Sequence, residues 1–587
     1  MPRRLFVTAI KRLLPAFAAI TLAQGCSQIK TPEPKPYIAP SNSPAISELR
    51  WSNGKRPKTL DPVFAAAPPE TDLARALFDG LTEIDPLTLQ TIPSIAEKWE
   101  HSNDWRTWRF YIREDALWTN GQPVTASDFV RSWTRYARMG SRAAFPELLA
   151  NLRKTETPVQ DKKTQTQIVD PETASGTEQR NTSNSGKQPF NDNSSPKIET
   201  TPQKNELLNV VAESERVLKI DLARPDPDFP ALAAHPVFRP VFGDGTQFSD
   251  LNDFTGKFVT NGAFRVERIA DDEISLVPFE KYWDRSSVKI DRVRMVAADP
   301  EKALDAYKAG DLDVVSNAEL SAAAIKLLEP YEDFRRVTHA AVNLYEFNLS
   351  KPLLSDHRIR RALAMAIERE RLVEGELQGT VRPAYDYFPF RQQPEYRITQ
   401  DLQAAKSLLA QAGYPDGVGF PTLQLVINRN DLQIRVARAV ARMWKQNLGI
   451  ETEIIIKEQN EIEAIRVSGE YDLIRRGVVF PVPDETVALT AVYGDLIQKD
   501  DTKSGNQTKT SPETVSAAGN QIQARVNQTQ SSKVKAEVDV SHELRAIPLY
   551  FPTAVSLAKP YVKGMEPNMF DIVLLKRVEI DTQWQGR

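Results

Sequence analysis

Metal binding, acyl transfer and phosphoryl transfer each need a recognisable grouping of side chains, and the 587-residue sequence supplies none of them. Its five histidines, His101, His235, His339, His357 and His542, are scattered, with no HExxH and no pair at helical spacing, so no metal site is expected. Serine is plentiful, but no GxSxG elbow frames one as a nucleophile. Thr260-Asn-Gly-Ala-Phe264 lacks the glycine spacing and the lysine of a phosphate loop. The acid pairs Asp271-Asp272 and Asp500-Asp501 sit among polar residues and read as solvated loop rather than as a general acid and base. The expectation is a protein that binds without reacting: no catalytic residue and no cofactor.

One side chain does point to chemistry. Cys26 is the sole cysteine, which rules out a disulfide framework or a CxxC pair within the chain. Arg3, Arg4, Lys11 and Arg12 precede an apolar run from Leu13 to Ala23, and Ala23-Gln24-Gly25-Cys26 closes it. This is the layout of a secretory signal, residues 1–25, ending at a lipoprotein cleavage site, with Ala23 where the usual pattern has leucine. Cys26 is the expected lipidation site. The alternative is a plain cleaved signal followed by a free thiol. The run is too short for a permanent membrane helix.

A chain of this length exceeds the roughly 250 to 300 residues at which single cores stop growing, so two or more lobes are expected. With 41% hydrophobic residues, 26% charged and a net charge of -3, the composition is globular and unsuited to a polyanion; no basic stripe with interleaved aromatics suggests nucleic acid. Residues 26–45 are rich in proline and serine and predict a flexible tether. Residues 155–205 and 499–538 are almost wholly polar and predict solvated, disordered insertions; all nine tryptophans lie outside them.

The remainder must position whatever site exists, and it mixes helix and strand. Asp401 caps a predicted helix with Leu402, Ala405, Leu408, Leu409 and Ala412 on one face, stopped by Gly413. A strand follows at Thr422 to Ile427. The next helix carries Ile434, Ala437, Ala441, Trp444 and Leu448, ends at Gly449, and leads into the strand Thr452 to Lys457. Strand, helix, strand in this order implies a crossover and a partly parallel sheet. Trp108 to Arg113 and Val217 to Leu222 read as strands of a more antiparallel region. Arg358 to Arg369 reads as an amphipathic helix with Ile359, Ala362, Leu363, Ala366 and Ile367 inward and its arginines outward. The class is α/β.

A collinear series of short motifs then becomes specific. Thr59-Leu-Asp-Pro62, Leu77-Phe-Asp-Gly-Leu81, Ile95-Ala-Glu-Lys-Trp99, Trp118 to Val130, Val259-Thr-Asn-Gly-Ala-Phe264, Tyr282-Trp283, Ala309-Gly-Asp-Leu-Asp313, Arg358 to Leu363, Ile547-Pro-Leu-Tyr550 and Lys559 to Gly564 together resemble the family 5 extracellular solute-binding proteins, above all the oligopeptide-binding proteins of bacterial ABC importers. The resemblance implies a periplasmic-binding-protein-like, venus-flytrap fold: two lobes and a third smaller domain, closing over a buried solute. Residues 46–79, 243–340 and 547–587 would form lobe I, 80–242 domain II, and 341–546 lobe III. It implies a short peptide or similar extended solute as ligand, an ABC transporter permease as partner, membrane attachment through the lipid, and a monomer.

The same resemblance implies a ligand site along Tyr471 to Glu485, where a peptide would join as an added strand. Arg475 falls where an arginine receives the peptide carboxylate. Gly477, Val478 and Val479 fall on the strand that pairs with ligand, Phe145 near an aromatic that packs on it, and Glu346 near an acid facing a side-chain pocket. Alternatives stay open: Arg475 in a salt bridge with Asp472, Asp484 or another acid, Phe145 in a core, Glu346 at the surface or hinge. Where the peptide receptors carry a tryptophan and an amine-gripping aspartate, this chain has Val478 and Pro481. Either Asp484 or another acid substitutes, or the ligand lacks that amine. A family member repurposed as a lipid-anchored scaffold or sensor partner, and a receptor for a non-peptide solute, are the competing readings.

Overall fold

The computed structural model of the protein describes residues 35–39, 41–152, 207–248, 258–316, 320–390, 397–483, 487–488, 491–492 and 543–585. Cys26, Asp484, the signal and both expected insertions lie outside the described residues.

Local signals set the elements. Asn430 caps the helix Asp431–Leu448 by accepting the Gln433 N–H at 3.1 Å, and Gly449 at φ 73° ends it. The helix carries the chain from the strand Leu423–Asn428 to the strand Thr452–Lys457, and the two pair in parallel as the crossover requires. Its buried face runs through Gln433, Val436, Val440 and Trp444, rotated slightly from the expected one. Asp401 caps Leu402–Gln411 in the same way, accepting from Ala404 N–H at 2.9 Å. Thr107–Ile112 and Val217–Asp221 are antiparallel neighbours within a four-stranded sheet.

Two larger sheets organise the rest. The seven-stranded sheet runs in the order Phe334–Thr338, Thr553–Ala558, Val314–Ser316, Glu48–Ser52, Arg292–Val296, Glu273–Pro278, Phe264–Ile269. The six-stranded sheet runs Arg382–Pro383, Ala546–Phe551, Ala341–Phe347, Leu473–Val479, Leu423–Asn428, Thr452–Lys457. One continuous apolar core joins the seven-stranded and four-stranded sheets, holding Leu49, Trp51, Phe78, Trp108, Leu218, Phe264 and Val578. A separate core beneath the six-stranded sheet holds Phe347, Leu363, Val440, Trp444 and Leu473. Two separate cores make two lobes, with the four-stranded sheet a smaller appendage of the first.

The chain passes between the two large sheets at Ala340 and again at Pro552, and the His339 N–H donates to the Pro552 carbonyl at 2.8 Å, tying the crossings together. Ala546–Phe551 therefore pairs within the six-stranded sheet, and the passage into lobe I comes at Pro552 rather than at residue 547.

Two further expectations are corrected. The tether is shorter than 26–45, because its end is held on the body: Ile38 N–H donates to Asp333 Oδ1 at 3.0 Å, the Glu332 N–H to the Pro36 carbonyl at 3.0 Å, and Ser43 to the Thr582 carbonyl at 3.0 Å. Nor do all the arginines of the 358–369 stretch face outward. The helix is His357–Met365, and Arg360 turns inward to donate to the carbonyls of Leu354, Ser355, Glu543 and Leu544. Arg369, 1% exposed, donates to Pro548 and Ala364 carbonyls. Both arginines donate to main-chain carbonyls near helix ends and along the 543–548 stretch. Arg360→Ala strips this donor from the buried carbonyls of Leu354 and Leu544 and is expected to cost about 2 to 4 kcal/mol, read as a lowered urea midpoint with unchanged slope; a wild-type midpoint would refute the stapling role.

Candidate functional site

The strand Leu473–Val479 lies inside the six-stranded sheet at one end and at its edge at the other. Along its whole length it pairs with Ala341–Phe347, from Phe347↔Leu473 to Ala341↔Val479. On its other side it pairs with Leu423–Asn428 only at Leu425↔Leu473 and Val426↔Ile474. The Phe480 N–H donates to the Ala340 carbonyl at 2.8 Å, so the even-numbered residues carry the ladder to the 341–347 strand. By alternation the main-chain groups of Arg475, Gly477 and Val479 turn the other way. Beyond Ile474 no described strand pairs along that side, and Gly477 and Val479 are exposed, Val479 at 48%. Among the described residues this edge is open, and another extended chain can add to it.

Side chains alternate likewise. Arg475 and Gly477 share one face of the sheet. The guanidinium Nη1 donates to Asn428 Oδ1 at 3.3 Å and Nη2 to Asn343 Oδ1, while Nε is buried with no partner among the described residues. Gly477 allows this pose: a Cβ there would stand 3.0 Å from Arg475 Nη2. Around the group stand Tyr345 and Tyr550, whose phenols burial pushes upward, and Gln433, which donates to the Tyr550 hydroxyl at 3.0 Å. Burial lowers the Arg475 pKa, and among the described residues the two tyrosines oppose it. Among the described residues no carboxylate pairs with it. Asp472 instead accepts the Gln424 N–H at 2.9 Å. A guanidinium does not lose its proton in a protein, so the site holds a largely desolvated positive charge whose neighbours are amides and phenols, a setting that favours an incoming anion.

The other expected residues lie elsewhere. Val478 points to the opposite face, buried with Val342, Leu344, Phe388 and Phe480. Glu346 is on that opposite face too, held by Arg476 at 2.5 Å and Arg466 at 3.2 Å. It lines a cavity of about 650 Å³ together with Lys351, Arg466, Tyr471 and Arg545. With its charge taken by two arginines, Glu346 is an internal counter-ion. Phe145 sits at φ 52° against the lobe I core, its ring edge-on to His235 at 5.2 Å. No described contact joins Phe145 to Arg475.

Thus Arg475, Gly477 and Val479 come together, and Val478, Glu346 and Phe145 do not join them. Asn343, Asn428, Gln433, Tyr345 and Tyr550 were missed. Their signal was present as polar groups in otherwise apolar segments, notably Asn343 within Ala341 to Phe347.

Several recurring motifs serve the fold. Asp79 accepts from the Tyr282 hydroxyl at 2.7 Å and the Trp283 indole at 2.8 Å, and Asn261 bonds both the N–H and the carbonyl of Asp79 at 3.2 Å. Among the described residues no group of three His, Cys, Asp or Glu could hold a metal, and no helix is long and apolar enough to cross a membrane.

Comparison with known proteins follows the geometry. Residues 90–499 match the family described as bacterial extracellular solute-binding proteins, family 5 middle. The chain is 28% identical to the periplasmic oligopeptide-binding protein OppA of Salmonella typhimurium, over 87% of this chain and 88% of that protein. It is 28% identical to the periplasmic murein peptide-binding protein MppA of Escherichia coli, over 87% and 89% of the two chains. The solved unliganded open form of MppA superposes with a TM-score of 0.67 at 25% identity, covering 92% of this chain and 99% of that one.

Proposed function

Because the chain belongs to family 5 of the bacterial extracellular solute-binding proteins, we propose that it is a lipid-anchored receptor that captures a short peptide outside the cytoplasm and delivers it, unaltered, to an ABC importer. The observation that carries this reading is Arg475, a near-buried guanidinium without an acid partner among the described residues, beside an open strand edge. A peptide added antiparallel along Gly477 and Val479 places its terminal carboxylate at the guanidinium, which offers a planar fork of donors. Its main chain takes up the unpaired edge, so affinity depends little on side-chain sequence. Peptide binding by the named relatives supports this cargo.

In this reading the lobes close about the crossings at Ala340 and Pro552, and the closed, liganded shape is what a permease recognises. Cys26 carries the lipid, and the receptor works as a monomer.

A pool of free tri- to pentapeptides tests the function. Binding only the folded form raises stability by RT ln(1 + [L]/Kd), about 2.7 kcal/mol at a hundredfold excess over Kd. The expected result is a raised thermal midpoint, with peptides retained in native mass spectrometry. No shift at millimolar peptide would contradict the receptor and favour a scaffold, a reading to which Val478 and Pro481 in the anchor positions give some ground.

A further inference from the structure

Residues 36–39 and Ser43 are bound to lobe I at several points, and a plain tether needs none of them. Asp333, 2% exposed, accepts the Ile38 N–H on Oδ1 at 3.0 Å and the Tyr307 hydroxyl on Oδ2 at 2.8 Å, so a main-chain group of this strap helps to satisfy a buried carboxylate. The Ile38 side chain packs against the small core of Tyr307, Leu312 and Leu557. Ala39 is buried, and the Tyr37 ring meets Trp584 edge-on at 6.1 Å between centroids. Together with the bonds from Glu332 to Pro36 and from Ser43 to Thr582, every one of these contacts falls on lobe I.

The strap fixes the point at which a lipid on Cys26 would be tied to the body. Lys35 follows Cys26 by nine positions, a span of at most about 30 Å when fully extended. Were the chain free up to the first strand at Glu48, the leash would reach about 75 Å. A short leash brings one particular surface to the membrane, and the surface beside it suits a bilayer interface. Leu327, on the short helix Ala322–Leu328 that leads to Glu332 and Asp333, is 74% exposed. Tyr37, Tyr331 and Trp584 are partly buried at the strap itself. Tyrosine and tryptophan favour the headgroup level, and an exposed leucine favours the acyl boundary. The exposed charges here, Lys35, Lys326, Glu329, Glu332 and Arg336, are of both signs, and Glu329 pairs with Arg336 at 2.7 Å, so no single-sign field holds the surface off.

We infer that this pole of lobe I, centred on the strap and Leu327, is the surface that the anchored receptor turns to the lipid bilayer, leaving lobe III outward as the half free to swing. The inference rests on the lipid reading of Cys26, and its test separates the two. Acylation occupies the sole native thiol, so a donor dye is placed on the full, processed chain through Lys326→Cys at the pole or Arg438→Cys on the outer side of the Asp431–Leu448 helix of lobe III, both exposed positions. The labelled proteins are reconstituted into phosphatidylcholine vesicles whose headgroups carry an acceptor. Energy transfer from position 326 is expected to exceed that from position 438 by about threefold or more, because the leash holds the pole within about 30 Å of the surface. Tyr37→Ala with Ile38→Pro removes the ring on Trp584 and the N–H that Asp333 accepts, and is expected to cut that ratio to about 1.5 or less by freeing the leash. An insert of about twenty Gly and Ser residues before Lys35 touches no contact of the body, is expected to lower the ratio likewise, and decides the matter if the double variant does not fold. An acylated protein with equal transfer from the two positions, or more from 438, or a ratio that neither change lowers, would overturn the membrane-facing pole alone. A mass for the amino-terminal peptide showing no acyl group on Cys26 would overturn the lipid reading and this surface with it.

Discussion

Arg475→Ala is expected to weaken binding of peptides with a free carboxylate by about 30- to 1,000-fold, equal to about 2 to 4 kcal/mol, with no loss of folding stability. The range is that for removing one partner of a buried, hydrogen-bonded charge pair. Stability should hold or rise because the unliganded protein keeps this cation desolvated, with Asn343 and Asn428 as its hydrogen-bond acceptors. Replacing an uncompensated buried charge removes a cost rather than a contact. Arg475→Lys should fall between, since an ammonium keeps the charge but cannot fork onto both carboxylate oxygens. Calorimetric titration beside urea unfolding gives both numbers. A variant that unfolds while the wild type shows no preference for free over amidated peptide would make Arg475 a structural residue.

Gly262→Ala is expected to be the most damaging small substitution outside the site, lowering stability by about 3 kcal/mol or more. Gly262 lies flat on the end of the helix Glu70–Leu77, its N–H donating to the Leu77 carbonyl at 2.8 Å. An added Cβ would stand 2.5 Å from Leu77 C, 2.6 Å from Phe78 N and 2.7 Å from Ala76 O. All three are main-chain atoms, so relief requires the helix and the 260–264 turn to part. That separation breaks the Asn261 bonds to Asp79 and loosens the hold of Asp79 on Tyr282 and Trp283. Urea unfolding and soluble yield read the effect; a wild-type midpoint would show that the contact yields without cost.

What the sequence revealed and what it hid follow from the range of the forces involved. The cap at Asp401, the glycine stop at Gly449 and the strand from Thr452 to Lys457 are local, and each was legible. Arg360 and Arg369 were misread because charge on a helix normally faces water; carbonyls near residues 543–548, remote in sequence, drew them inward. Arg475 was placed by family resemblance, but its surroundings were not. Asn428 is 47 residues away and Asn343 is 132, and only the sheet register brings them together. Val478 was expected beside Arg475, yet strand alternation sends it to the other face and into an aromatic cluster. Glu346 was expected near an acid facing a side-chain pocket, or at the surface or hinge; it lines the cavity of about 650 Å³, and two arginines that the sequence did not single out, Arg466 and Arg476, take its charge.

A crystal structure of the protein with a bound tetrapeptide is decisive. The carboxylate oxygens should lie about 3 Å from the Arg475 guanidinium, with the peptide main chain paired to Gly477 and Val479. A carboxylate bound instead among Lys351, Arg466 and Arg545 on the opposite face, with the 475–479 edge vacant, would contradict the proposed mode of capture.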